Sequence, residues 1–253
     1  MPSHRPLVVL VHSSVSGRGQ WRSLTARLEP RFRVEAIDLI GYGERAPWDG
    51  GRPQTLDDQA ALIRAVAAEL GPPFALVGHS FGATVALRAA AGLGDDLPGL
   101  VLLEPNPFSL LEGLPEYAEA AALCDVVRRA GADGDWERAA ARFADYWSGP
   151  GSWTAMPEGR RQAFAAALAP NVHEWDAVMS APAREDVAAV RARTLVVSAR
   201  DTVAAIARIV SLLEELRPDW TFAVVERGGH MAPLTAPDLV DPLVERALLD
   251  WSG

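Results

Sequence analysis

The sequence predicts an α/β fold: a mostly parallel six-stranded sheet flanked by helices, with an inserted helical cap. Three observations carry the prediction. Short, continuous apolar runs alternate with helical stretches, as βαβ units require. The alternation breaks once, across 106–183, where the chain reads as helix throughout. One apolar run also passes within a few residues into an Ala- and Leu-rich helix through a Gly-x-Ser-x-Gly turn.

The first run, Leu7–Val11, is apolar at every position, as in a strand buried on both faces. It opens into the small-residue loop His12 to Gly17. A helix follows over 21–28, with Trp21, Leu24 and Leu28 on one face. The second strand is predicted at 34–39. The loop after it, Gly41-Tyr42-Gly43 extended to Ala46, formally fits a dinucleotide fingerprint. We reject that reading, because Pro47, Asp49, Gly50 and Gly51 stand where a helix should open to hold a pyrophosphate. Thr55 and Asp58 resemble a capping box for a helix over Leu56–Leu70, stopped by Gly71-Pro72-Pro73. Further strands are predicted at 74–77, 100–103, 193–198 and 222–225. The cap carries four helical stretches, 117–129, 136–147, 160–168 and 174–179, and four of the eight tryptophans. The predicted division is a core of 1–105 and 184–253 with a cap of 106–183. An insertion leaving a strand's carboxyl end sits where ligands bind in an open parallel sheet.

Composition narrows the function. Hydrophobic residues make up 49% of the 253, ample for a core. The formal net charge is −9 and no dense Lys/Arg run occurs, which argues against nucleic acid or an anionic membrane as partner. Cys124 is the single cysteine, so no internal disulfide can form; this fits a reducing compartment. The run at 7–11 is too short for a signal h-region or a membrane span. We expect a cytoplasmic protein acting on a small molecule, as a monomer or homodimer. No metal-ligand spacing such as His-Glu-x-x-His occurs, and neither metal nor organic cofactor is expected.

The strand-turn-helix context of Gly78-His79-Ser80-Phe81-Gly82 marks Ser80 as a nucleophile. A serine hydroxyl needs a base, and the base needs a carboxylate. Among the five histidines, His4 lies in the N-terminal tail, His12 ends the first strand, His79 adjoins the nucleophile and His173 lies in the cap. His230 follows the last strand, in Gly228-Gly229-His230-Met231-Ala232-Pro233, and is assigned as the base. Two carboxylates stand at carboxyl strand ends, Asp201 and Glu104. We assign the acid to Asp201, with Glu104 the alternative.

On these residues the chain resembles the α/β-hydrolase superfamily, everywhere outside the insertion. Residues 78–82 look like its nucleophile elbow, 198–203 like its acid turn and 228–233 like its histidine loop. Asp38, Gly41 and Gly43 match the spacing of another family loop. Where the family often has His-Gly, this chain has His12-Ser13. By position, the backbone N–H groups of Ser14 and Phe81 match the oxyanion donors. The family's first two antiparallel strands have no counterpart, which implies six strands. The cap resembles that of small-molecule members, among them esterases, cofactor-free perhydrolases and carbon–carbon bond hydrolases.

The resemblance implies a serine hydrolase using Ser80, His230 and Asp201 on an ester or thioester of a small, largely apolar acid. Ser13, Trp147, Trp153, Val203 and Met231 are expected to line the substrate pocket. Carbon–carbon cleavage or elimination by the same residues, or a low-turnover receptor, are the alternatives.

Overall fold

The computed structural model describes residues 5–252. The strands are β1 Leu7–Val11, β2 Arg33–Ile37, β3 Phe74–His79, β4 Gly99–Leu103, β5 Arg193–Ala199 and β6 Thr221–Val225. They form one sheet in the order β2-β1-β3-β4-β5-β6, and every neighbouring pair is parallel. All six lie where the sequence predicts them. β2 ends at Ile37 rather than 39, and β3 runs on to His79, delivering the elbow at the carboxyl end of the sheet.

The helices are α1 Arg22–Leu28, α2 Leu56–Leu70, α3 Phe81–Leu93, α4 Pro115–Asp133, α5 Trp136–Ser148, α6 Ser152–Ala155, α7 Glu158–Ala166, α8 Asn171–Met179, α9 Ala183–Ala189, α10 Ala204–Leu216, α11 Ala232–Thr235 and α12 Pro237–Trp251. Side chains alternate across a strand, so β1 feeds two interiors. Val8 and Leu10 pack with Leu24 of α1 and Val244 of α12. Val9 and Val11 pack on the other face with Ile63 of α2 and Val85 of α3. At the start of α2 the capping box forms, with the Thr55 N–H donating to the Asp58 carboxylate at 2.9 Å.

Strand order reverses between β1 and β3, the switch point at which open α/β sheets bind ligands. β1 pairs Val11 with Gly78, so the loop after β1 lies beside the elbow. Helices α4 to α9 fill the chain between β4 and β5. The cap division is one of chain order, since the apolar interior is continuous: Leu76 and Phe81 share a cluster with Phe108, Leu123, Trp147 and Trp175. No helix among the described residues is long and apolar enough to cross a membrane.

Candidate active site

Two glycines let the elbow turn. A Cβ at Gly78 would strike the Gly82 carbonyl, and a Cβ at Gly82 would strike the carbonyls of Val11 and His12. Neither side can yield, because both colliding groups are backbone. Ser80 itself holds φ 54° and ψ −121°. Among the described residues only three non-glycines have positive φ: Val15, Ser80 and Glu104. They follow β1, β3 and β4, three neighbouring interior strands, at the end where the site lies. Each such conformation costs about 1–3 kcal/mol and persists only where its surroundings impose it.

The Ser80 Oγ lies 2.8 Å from His230 Nε2. His230 Nδ1 faces Glu104 Oε2 at 3.3 Å. Glu104 is fixed from several sides. Its N–H donates to the Val197 carbonyl at 2.8 Å, its Oε1 accepts from the Ala199 N–H at 2.5 Å, and its Oε2 accepts from the Thr202 hydroxyl. Burial pushes the Glu104 carboxyl up, against the hydroxyl and amide that hold it down. Burial also lowers the His230 imidazole, keeping it neutral and able to accept a proton.

The acid assigned from sequence is corrected here. Asp201 is exposed and its carboxylate is occupied elsewhere, accepting the N–H groups of Gly229 at 2.8 Å and Gly228 at 3.3 Å. These bonds, the Gly229 one foremost, hold its pKa below the usual carboxylate range. Asp201 therefore braces the backbone of the histidine loop, and Glu104 meets the imidazole.

Phe81 is the first residue of α3, so its N–H has no carbonyl one turn back to bond within the helix. It follows Ser80 directly and is available as a donor. Ser14 lies in the turn after β1, and buried Glu174 of α8 accepts the Asn171 side-chain amide at 2.7 Å. Burial raises the Glu174 carboxyl, while Ser14, Asn171 and Tyr42 hold it down. The Tyr42 hydroxyl accepts the Val15 N–H at 3.0 Å and steadies the same loop.

The expected pocket residues divide. Trp147 reaches the site: its ring stacks on the His230 imidazole at 4.0 Å and 25°. Phe143 and Phe108 flank it at 6.0 and 6.2 Å. Trp153 instead packs within the cap, its ring 6.4 Å from Phe164 and with Arg161 over its face. Ser13 turns to Gln20, its N–H and hydroxyl both donating to Gln20 Oε1, at 3.1 and 2.8 Å. Val203 caps α10 and packs against the main apolar cluster, and Met231 follows the base in a short 3₁₀ turn. An apolar cavity of about 500 Å³ opens to one side, between Trp48 and Gly41 of the core and Trp136, Pro170 and His173 of the cap. Ser80 and His230 do not line it.

Of the other histidines, His4 lies outside the described residues. His12 is buried; its Nδ1 donates to the Ser13 carbonyl at 2.7 Å and its Nε2 accepts the Leu39 N–H at 3.0 Å. Gln20 and His79 were not marked by the sequence as functional, yet both bond into the site loops. Ser80, Glu104, His230 and Trp147 are each under 7% exposed, so the contacts among them are closed to solvent. Trp147→Ala is expected to cost about 3–5 kcal/mol of stability, as a buried tryptophan does. Thermal melting of the variant beside wild type checks it.

The family profile described as "Alpha/beta hydrolase family" matches residues 8–242. N-formylmaleamate deformylase of Pseudomonas putida is 31% identical, across 89% of this chain and 82% of its own. Lipase LipV of Mycobacterium tuberculosis is 36% identical over 105 residues, which cover 41% of this chain and 39% of that protein. The match thus spans under half of the lipase. Among solved structures, an esterase from Thermogutta terrifontis superposes with a TM-score of 0.77 at 23% identity, covering 98% of this chain and 91% of the other. MenH from S. aureus superposes with a TM-score of 0.79 at 14% identity, covering 99% and 96%. At these identities the structural likeness is one of fold.

Proposed function

The chain belongs to the alpha/beta hydrolase family of enzymes, and on that premise we propose that it is a serine hydrolase acting through an acyl-enzyme on an ester or thioester of a small, largely apolar acid. The carrying observation is the unbroken contact from Ser80 Oγ through the His230 ring to Glu104, at 2.8 and 3.3 Å, beneath a closed cap.

In this reading His230 takes the Ser80 proton at Nε2 as Oγ attacks the carbonyl. The Nδ1–H donates to Glu104, which fixes the tautomer and balances the imidazolium charge. The N–H groups of Phe81 and Ser14 hold the developing oxyanion. The imidazolium then protonates the leaving alcohol or thiol. Water, activated by the same imidazole, releases the acid. Trp147, Phe143 and Phe108 offer the acyl group an apolar, water-excluding wall. Residues 106–183 act as a lid that places the Trp147 ring on the imidazole.

A second reading, hydrolysis of an N-formyl amide, is favoured by the likeness to the deformylase along most of both chains. A panel of 4-nitrophenyl esters, thioesters and N-formyl amides, run on wild type and Ser80→Ala, tests both. Turnover of short-chain esters that vanishes in Ser80→Ala supports the first reading, and turnover confined to formyl amides supports the second. Activity equal in both proteins refutes the two together.

A further inference from the structure

A chain of hydrogen bonds joins the three loops that would carry the chemistry, and it runs through residues with no role in the steps above. The Ser13 N–H and hydroxyl donate to Gln20 Oε1 at 3.1 and 2.8 Å. Gln20 Nε2 lies 3.0 Å from His79 Nδ1. His79 Nε2 lies 2.9 Å from the carbonyl oxygen of His230. The chain thus begins in the loop after β1, passes the residue before the nucleophile, and ends on the backbone of the base.

Its polarity is fixed at both ends by backbone groups. The His230 carbonyl can only accept, so His79 must carry its hydrogen on Nε2. A neutral His79 then presents a lone pair at Nδ1, which only a donor can satisfy. The Ser13 N–H can only donate, so the atom facing it must accept. A carboxamide, with a donor at one end and an acceptor at the other, meets both demands at position 20. His79 is fully buried, and that burial lowers its pKa to about 3, which keeps the ring neutral. The titratable groups facing it are His230, Glu104 and His12.

We infer that Gln20 and His79 are positioning residues that lock the oxyanion loop to the histidine loop in one register, so that Ser14, Ser80 and His230 meet the substrate together. The proposal rests on the serine-hydrolase reading, and its test separates the two. The isosteric Gln20→Glu keeps the shape and removes the donor. Its carboxylate opposes the His79 lone pair unless the ring gains a proton, which restores the chain as Glu⁻ and imidazolium. Activity of Gln20→Glu relative to wild type is therefore highest at low pH and falls as pH rises through the ionisation of that pair. Gln20→Leu loses all three bonds at every pH and gains no such ionisation.

The readout is the rate at which a fluorophosphonate labels Ser80, followed across about pH 5–9. Melting temperatures confirm that each variant is folded. We expect losses of about 10- to 100-fold in the high-pH range, as small misplacements at a reacting centre produce. Nitrogen-15 shifts of His79 should show the Nε2–H tautomer in wild type, without titration over that range. A wild type that does not label at Ser80 removes the nucleophile, and with it the reading this proposal rests on. Normal wild-type labelling, with both variants within two-fold of it at every pH, overturns the relay alone. An Nδ1–H tautomer at His79 does the same.

Discussion

Glu104→Gln is expected to lower kcat by about 10⁴-fold, the loss seen when a triad acid becomes an amide and the imidazole takes the wrong tautomer. Asp201→Asn should stay within about ten-fold of wild type, since it perturbs backbone hydrogen bonds worth about 1 kcal/mol each. The pH profile carries a second signature. In wild type the acidic limb belongs to the coupled pair, whose carboxyl is pushed up by burial. Removing that carboxylate leaves His230 alone, which burial pushes down. The acidic limb of Glu104→Gln therefore moves to lower pH while its plateau falls. A merely structural loss would lower the plateau and leave the limb in place. Steady-state turnover of one activated ester by both variants across pH checks the two signatures at once.

Ser80→Ala and His230→Ala should each abolish turnover, with losses of about 10⁶-fold in kcat, because the groups act as a unit. Ser80→Ala should remain folded. The buried contact to His230 is worth about 1 kcal/mol, and alanine meets the same φ of 54° that serine already bears. Turnover measured beside a thermal melt separates lost chemistry from lost structure. The double variant should be no slower than either single one.

Much of this site was legible in the sequence, and for physical reasons. Strands buried on both faces must be continuously apolar, so interior strands announced themselves as runs such as Leu7–Val11, while the edge strands β2 and β6 are shorter on apolar burial. The glycines at 78 and 82 are forced by backbone collisions, so the elbow was marked before any partner was known. His230 follows the last strand, where any loop faces the ligand end of the sheet. Which carboxylate meets the imidazole was not legible in the same way. Asp201 and Glu104 follow adjacent strands, and both satisfy the chain order of nucleophile, acid and base. The choice turns on the backbone at Glu104, φ 50°, which follows the continuously buried strand β4, whereas Asp201 follows an exposed arginine. That burial was the available signal, because a carboxylate ending a run of buried apolar residues needs a partner. Gln20 gave no signal, because its function lies in the two loops it joins and not in its neighbours along the chain. The tryptophans split for a similar reason: the sequence offers Trp147 and Trp153 alike as apolar surface in the cap, and does not show which of them meets the imidazole.

The most direct test of the proposed chemistry is to trap the acyl-enzyme. Wild type is mixed with a short-chain 4-nitrophenyl ester for less than one turnover, quenched in acid, and its peptides are weighed. The account predicts one added acyl group, on Ser80 in the peptide that spans β3 and α3, and none in Ser80→Ala. Nitrophenol released by wild type with the acyl group on another residue, or on none, would contradict it.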